Sequence, residues 1–187
     1  MTTDTDFLRA GPSDVEAAAD TLASAFADYA WTRWTVDHDG HRDRLRAVQA
    51  LCLGKVSLPH GLVLVSADAE AVIALNPPDI AERVDSSVWD EVAGLSGERW
   101  TNAVNAVLPE PSSPHSWELA TVGVRPARQG QGLGGRIVEA ALSELGAIPV
   151  HLRTSEECNV AFYRRHGFDV FATTETGGPV VWSMQRS

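Results

Sequence analysis

The run Val124–Leu142, VRPARQGQGLGGRIVEAAL, places Gly130, Gly132, Gly134 and Gly135 within six positions and then continues in a regular apolar pattern. Glycine at that density serves the backbone. It admits left-handed conformations and lets successive N–H groups approach a ligand with no Cβ between them. At the start of a helix such a turn binds anions, because its N–H groups and the helix dipole both favour negative charge. Arg125, Arg128 and Arg136 lie in or beside the run, a basic island in a chain of formal charge −10. The chemistry expected here is phosphate binding, with Arg128 placed to neutralise charge. The competing reading is a strand-to-helix turn whose glycines serve close packing.

Two familiar phosphate signatures fail on context. Gly130, Gly132 and Gly135 satisfy G-x-G-x-x-G, but a dinucleotide-binding unit opens its domain on that turn and needs several further βα units. Only about fifty residues follow, and Arg125–Gln129 separates the glycines from the preceding strand. The P-loop reading lacks its Gly-Lys-Ser/Thr. A second candidate surface is ADYAWTRWTVDHD, where Tyr29, Trp31 and Trp34 could stack on a flat nucleoside or aryl group. Equally, Trp31 and Trp34 at i, i+3 could simply pack a helix. Trp100 and Trp117 are weaker candidates. The six histidines and two cysteines show no ligand spacing, so no metal site is expected.

The elements that must hold these groups are legible in part. GPSDVEAAADTLASAF reads as a first helix, with Ser13 and Glu16 as a capping box and Val15, Ala18, Ala19, Leu22 and Phe26 on one face. HRDRLRAVQALCLGKV reads as a second helix through Leu45, Val48, Leu51 and Cys52. GLVLVSADAEAVIALNPP reads as two strands around a tight turn. Residues 79–107 look helical with breaks near Gly94 and Gly97, and LPEPSSPHS is a loop. Then come strand SWELATVGV, helix GLGGRIVEAALSEL, strand IPVHLRT, short helix NVAFYRRHG stopped by Gly167, and a final pair of strands around GGP. The order predicts one α/β domain over residues 1–187 with a mixed central sheet flanked by helices.

Composition bounds the partners. Hydrophobic residues make up 44% and charged residues 21%, ordinary for one globular domain. The acidic balance disfavours nucleic acid and anionic membranes as partners. No apolar run approaches the ~20 residues of a membrane helix, and MTTDTDFLRA lacks secretory character. A cytoplasmic location is the default expectation; oligomeric state is not legible.

Gln129-x-x-Gly132-x-Gly134, placed between a strand and a helix, resembles the Q/R-x-x-G-x-G/A loop of the GCN5-related N-acetyltransferases (GNAT). NVAFYRRHGF is similar to that family's later N-x-x-x-Y…GF pattern, and the two motifs together span about fifty residues. Further similarity over LASAFADYAWTRWTVD, LATVGV and the terminal WSM is to members of the family that acetylate the aminonucleoside puromycin. The resemblance implies a GNAT-type fold with acceptor-side helices in about residues 1–60 and an acetyl-CoA core in about 117–168.

It also implies roles. Arg128, Gln129, Gly130, Gln131, Gly132, Leu133, Gly134 and Gly135 would hold the pyrophosphate of acetyl-CoA, Val122, Gly123 and Val124 its pantetheine arm, and Asn159 would contact it or cap a helix. Tyr163 would be the general acid for the leaving thiolate. Glu118 aligns with a general-base glutamate of histone-acetylating relatives, whereas the puromycin enzymes have an aromatic there. Taking its strand as regular, Glu118 shares a face with Ala120, Val122 and Val124. Phe162 and Phe168 are expected in the core and Cys158 as a buried thiol. The acceptor implied is the primary amine of a small molecule, an aminonucleoside or aminoacyl compound first, with a polyamine, aminoglycoside or peptide N-terminus as the alternative. A non-catalytic acyl-CoA-binding domain is the reading from another class. An α-amine with pKa ~7.7–8.0 costs ~1 kcal/mol to deprotonate at pH 7, and a lysine-type amine near ~10.4 costs about 4.6. For the former, Glu118 need only assist through water.

Overall fold

Apolar β-branched runs bounded by turn residues build a sheet that runs the length of the molecule. The computed structural model describes residues 7–100 and 108–187. The strands are β1 (Phe7–Arg9), β2 (Leu62–Ser66), β3 (Ala71–Asn76), β4 (Trp117–Val124), β5 (Val150–Thr154), β6 (Asp169–Thr174) and β7 (Val181–Arg186), in spatial order β1-β2-β3-β4-β5-β7-β6. All pairs are antiparallel except β4 with β5. The mixed sheet flanked by helices agrees with the class read from the sequence.

Helices α1 (Val15–Ala25), α2 (Ala30–Thr35) and α3 (His41–Leu51) come first. A π-helical turn, Cys52–Ser57, and a last turn, Leu58–His60, prolong α3. Then come α4 (Ile80–Arg83), α5 (Ser86–Ser96), α6 (Leu133–Leu145) and α7 (Glu157–Arg164). On one face of the sheet, Leu133, Ile137, Val138 and Ala141 of α6 close the main core with Ile73, Leu75, Leu119, Leu152 and Met184. On the other face Ala18 and Leu22 of α1 meet Val72 and Ala74.

Several local expectations need correction. The first helix is entered through a 3-10 turn, Pro12–Asp14, and the reciprocal cap joins Gly11 to Asp14 (N–H to carboxylate 2.7 Å), not Ser13 to Glu16. Gly94 does not interrupt α5, which runs on to Gly97, where φ of 109° ends it. Strand β1 and helix α2 carry too few residues to show a period and were not legible. The expected helical continuation over residues 101–107 lies outside the described residues.

Candidate active site

The site begins where two parallel strands part. β4 and β5 pair only at Trp117–Val150 and Glu118–His151, although each strand continues beyond. The edge of Thr121–Val124 therefore faces an opening instead of a neighbouring strand. A bulge contributes. Opposite Ala74 and Leu75 stand Thr121 and Leu119, so Ala120 is an extra residue in β4. It bends the strand and resets its alternation. The expectation that Glu118 shares a face with Val122 and Val124 is thereby overturned. Leu119, Val122 and Val124 turn to the α6 face, while Glu118, Thr121 and Gly123 turn to the α1 face.

Gly123 is needed for close approach. A Cβ there would meet Leu22 Cδ2 at 2.8 Å and Ala25 Cβ at 3.1 Å, so α1 lies directly on β4. From that contact the chain crosses to β5. Phe26 and Tyr29 stack edge to face at 5.4 Å, and Tyr29 Oη accepts from the Ser155 N–H at 2.6 Å and shares a hydrogen with Thr154 Oγ1 at 3.1 Å. The α1–α2 connection thus bridges the parted strands. The phenol of Tyr29 belongs to this brace, and its ring is not free to stack on a ligand from all sides. Trp31 and Trp34 pack on each other at 5.4 Å, and Trp34 also lies on the β6–β7 turn, where a Cβ on Gly178 would overlap the indole at 2.3 Å. Helix packing therefore accounts for much of this aromatic pair. The three aromatics stand together on α2 and its N-cap beside the end of β5.

At the end of β4 the glycine turn leads into α6. Gly130 and Gly132 have φ of 74° and 77°, and a Cβ at either would meet nothing within 4 Å. Glycine is required there by conformation and by nothing that packs on it. Gly134 and Gly135 are helical, and a Cβ at Gly135 would sit 3.4 Å from the His166 ring, so this glycine serves helix packing. Gly132 is the N-cap, with no side chain capping the helix and no acid in its first turn. Gln129 donates from Nε2 to the Val124 carbonyl at 3.0 Å and holds the turn against its strand. Arg128 is engaged with Glu70 at 3.1 Å, and Arg125 donates to Thr21 Oγ1 at 3.0 Å. Arg128 would have to exchange or share that carboxylate to meet a phosphate.

Helix α7 borders the opening from the other side. Tyr163 is buried, edge to face with Phe162 at 5.1 Å and Phe168 at 5.8 Å. Burial drives its phenol pKa well above the ordinary value, and the nearby Tyr29 phenol adds to the shift. Phe168 is fully buried and Phe162 half-buried, as expected of core residues. Asn159 is not a helix cap: Glu156 holds that position, and Asn159 lies inside the helix, donating from Nδ2 to Thr154 Oγ1 at 3.2 Å. Asn159, Thr154 and Tyr29 thus form one hydrogen-bonded chain. Cys158 is exposed, contrary to the buried thiol expected, because it falls on the outer face of α7. Cys52 is half-buried, its thiol pushed up to about 11 by desolvation.

Glu118 sits where β4 and β5 begin to part. Its carboxylate accepts from Arg153 Nη1 of β5 at 3.3 Å. Burial pushes the carboxyl above the ordinary range, opposed by Arg153 and assisted by Glu110. His151, Glu118's partner on β5, bonds through Nδ1 to Ser116 Oγ at 3.0 Å, and burial pushes it down to about 4. Sequence reading missed Arg153 and His151; their only signal was polarity at alternate positions of a strand otherwise apolar.

Comparison with known proteins fits this geometry. Residues 90–170 match the acetyltransferase (GNAT) domain model, a span that holds β4, the glycine turn and α7. A Corynebacterium glutamicum structure described as histone acetyltransferase HPA2 and related acetyltransferase superposes with a TM-score of 0.76 at 22% identity, covering 97% of this chain and 95% of that one. The chain has the GNAT acetyltransferase fold. A GNAT family acetyltransferase from Brucella melitensis, solved in complex with acetyl-CoA, superposes with a TM-score of 0.54 at 20% identity over 96% of this chain and 86% of that one. In sequence, 57 residues are 37% identical to the N-alpha-acetyltransferase RimI of Mycobacterium tuberculosis, covering 29% of this chain and 36% of that protein's length. Among the described residues, no helix is long and apolar enough to cross a membrane.

Proposed function

We propose that this chain is an acetyl-CoA-dependent N-acetyltransferase that acts on a primary amine by direct attack in a ternary complex. The observation that carries the reading is the glycine turn at the start of α6, opening beside strands that part. Two left-handed glycines with open space over them and an uncapped helix N-terminus fit a pyrophosphate. The edge of Val122, Gly123 and Val124 fits an amide-bearing arm laid along β4. Bound there, acetyl-CoA supplies the thioester whose acetyl group is transferred.

The chain's own residues then have defined tasks. A backbone N–H on the β4 edge donates to the thioester oxygen as it gains charge. Glu118 takes the proton of the attacking amine, directly or through water, while the N–C bond forms. Tyr163 gives its proton to the sulfur as the C–S bond breaks. Its raised pKa keeps the phenol protonated for that purpose. Tyr29, Trp31 and Trp34 border the acceptor's approach.

Among acceptors, puromycin or a related aminonucleoside is one reading, supported by resemblance over the N-terminal helices. A peptide α-amine is the second, favoured by the similarity to an N-alpha-acetyltransferase. The test is free-thiol release from acetyl-CoA with puromycin or a short peptide, and the product's mass. Release coupled to an acetylated amine is expected; acetyl-CoA binding without transfer to either amine would favour a non-catalytic acyl-CoA-binding domain.

A further inference from the structure

The face of the sheet beside the parted strands carries one cation for which acetyl transfer alone assigns no task. Glu118 stands level with Asn76 on β3 and His151 on β5. Arg153 lies two residues beyond His151 on the same face of β5, with Nη1 3.3 Å from Glu118 Oε1 and Nη2 donating to the Pro109 carbonyl at 3.5 Å. The guanidinium is thus held between the loop before β4 and the Glu118 carboxylate. Both side chains are largely withdrawn from water, 25% and 35% exposed.

The other groups around Glu118 cannot replace this cation. Asn76 is neutral, and Glu110 repels the carboxylate. His151 is uncharged at neutral pH, because burial pushes it down to about 4. Residues 101–107, TNAVNAV, contain no ionisable side chain. A carboxylate desolvated without a counter-charge takes up a proton and stops being a base. One paired too tightly, by a short bidentate contact, would be a poor proton acceptor. A single contact at 3.3 Å lies between these extremes.

We propose that Arg153 is the positioning residue of proton abstraction: its guanidinium fixes the Glu118 carboxylate where β4 and β5 part and keeps it ionised to take the amine's proton. This rests on the acetyltransferase reading and adds to it. In the balanced step, one amine proton goes to Glu118 and the Tyr163 proton goes to the departing sulfur. The two side chains then exchange protons through solvent.

The experiment is the pH dependence of kcat/KM, with puromycin and the peptide Ala-Leu-Phe as acceptors, for the wild type, Arg153→Lys, Arg153→Met and Glu118→Gln. Acetyl-CoA Kd is measured alongside. In Arg153→Met the acid limb should move up by about one pH unit or more, since an opposite charge at this range shifts a carboxyl by 1–3 units. Arg153→Lys should return it toward the wild type, Glu118→Gln should leave only the acceptor amine's own ionisation, at ~7.7–8.0, and Kd should change little throughout. Arg153→Gln replaces the Met variant if that one does not fold. An unmoved limb, equal shifts in the Lys and Met variants, or an unchanged profile in Glu118→Gln would overturn the inference while leaving acetyl transfer standing. No transfer to either amine by the wild type would overturn the acetyltransferase reading, and the inference with it.

Discussion

Tyr163 carries a tension that its surroundings resolve. A phenol sealed among Phe162, Phe168 and the α6 core is a poor acid in its ground state, since burial raises its pKa. That same burial keeps it protonated over the whole working range, and desolvation also raises the basicity of a thiolate forming beside it, which narrows the gap the proton must cross. Tyr163→Phe retains the ring and its edge-to-face contacts while removing only the proton. Turnover should fall by ~10²–10⁴-fold, the usual span for a general acid. The Kd for acetyl-CoA and the melting temperature should stay near wild type. Single-turnover rates alongside a binding titration check this, and unchanged turnover would remove Tyr163 from the chemistry. Glu118 is the complementary case: burial and Glu110 push its carboxyl up while Arg153 opposes them, through a geometry in which the sequence alone places only a residue on a strand.

At the scale of elements, the turn between β4 and α6 is where conformation and ligand are linked. Gly132 at φ 77° would cost an alanine about 1–2 kcal/mol, although its Cβ would clash with nothing. Gly132→Ala should therefore weaken acetyl-CoA binding by roughly tenfold, through a displaced backbone, with only a small fall in melting temperature. Titrations of acetyl-CoA and of S-acetylpantetheine, which lacks the pyrophosphate, check it; an equal loss for the two would mean that the turn holds some other part of the ligand. The glycine turn was legible because a motif records a backbone requirement directly in residue type. So was α6, with Leu133, Ile137 and Ala141 buried at helical spacing. The face that Glu118 occupies was not legible. One extra residue at Ala120 inverts every later side chain of β4, and bulges leave no mark in hydrophobic alternation when the strand reads Leu-Ala-Thr-Val. Nor could the sequence show that Tyr29 braces α2 to the end of β5 across more than a hundred residues.

At the scale of the whole molecule, the sheet is stabilised on one side by an apolar core and on the other holds a buried polar row beside the proposed active site. His151 makes that row sensitive to acid. Its pKa is pushed down to about 4, chiefly by desolvation and then by the Arg153 charge, so the folded chain keeps it neutral. Unfolded, it titrates near ~6.5. Between these values the unfolded state binds more protons than the folded one, so stability rises with pH across about 4–6.5 and is lost as pH falls through that window. At pH 5 the linkage amounts to a loss on the order of 2 kcal/mol relative to pH 8, a large share of a typical domain's margin. Glu118 acts in the opposite sense. Its raised carboxyl gives the folded state more protons just above the ordinary carboxylate range, so that contribution falls as pH rises through the folded value. The two groups face one another across β4 and β5. His151→Gln, which can still bond Ser116, should therefore flatten the loss of stability between pH 7 and pH 5. Urea melts at the two pH values check it: the wild-type midpoint should fall on acidification, and the variant's should fall clearly less. Equal falls would place the acid-sensitive group elsewhere and leave His151 charged or solvated in the folded chain.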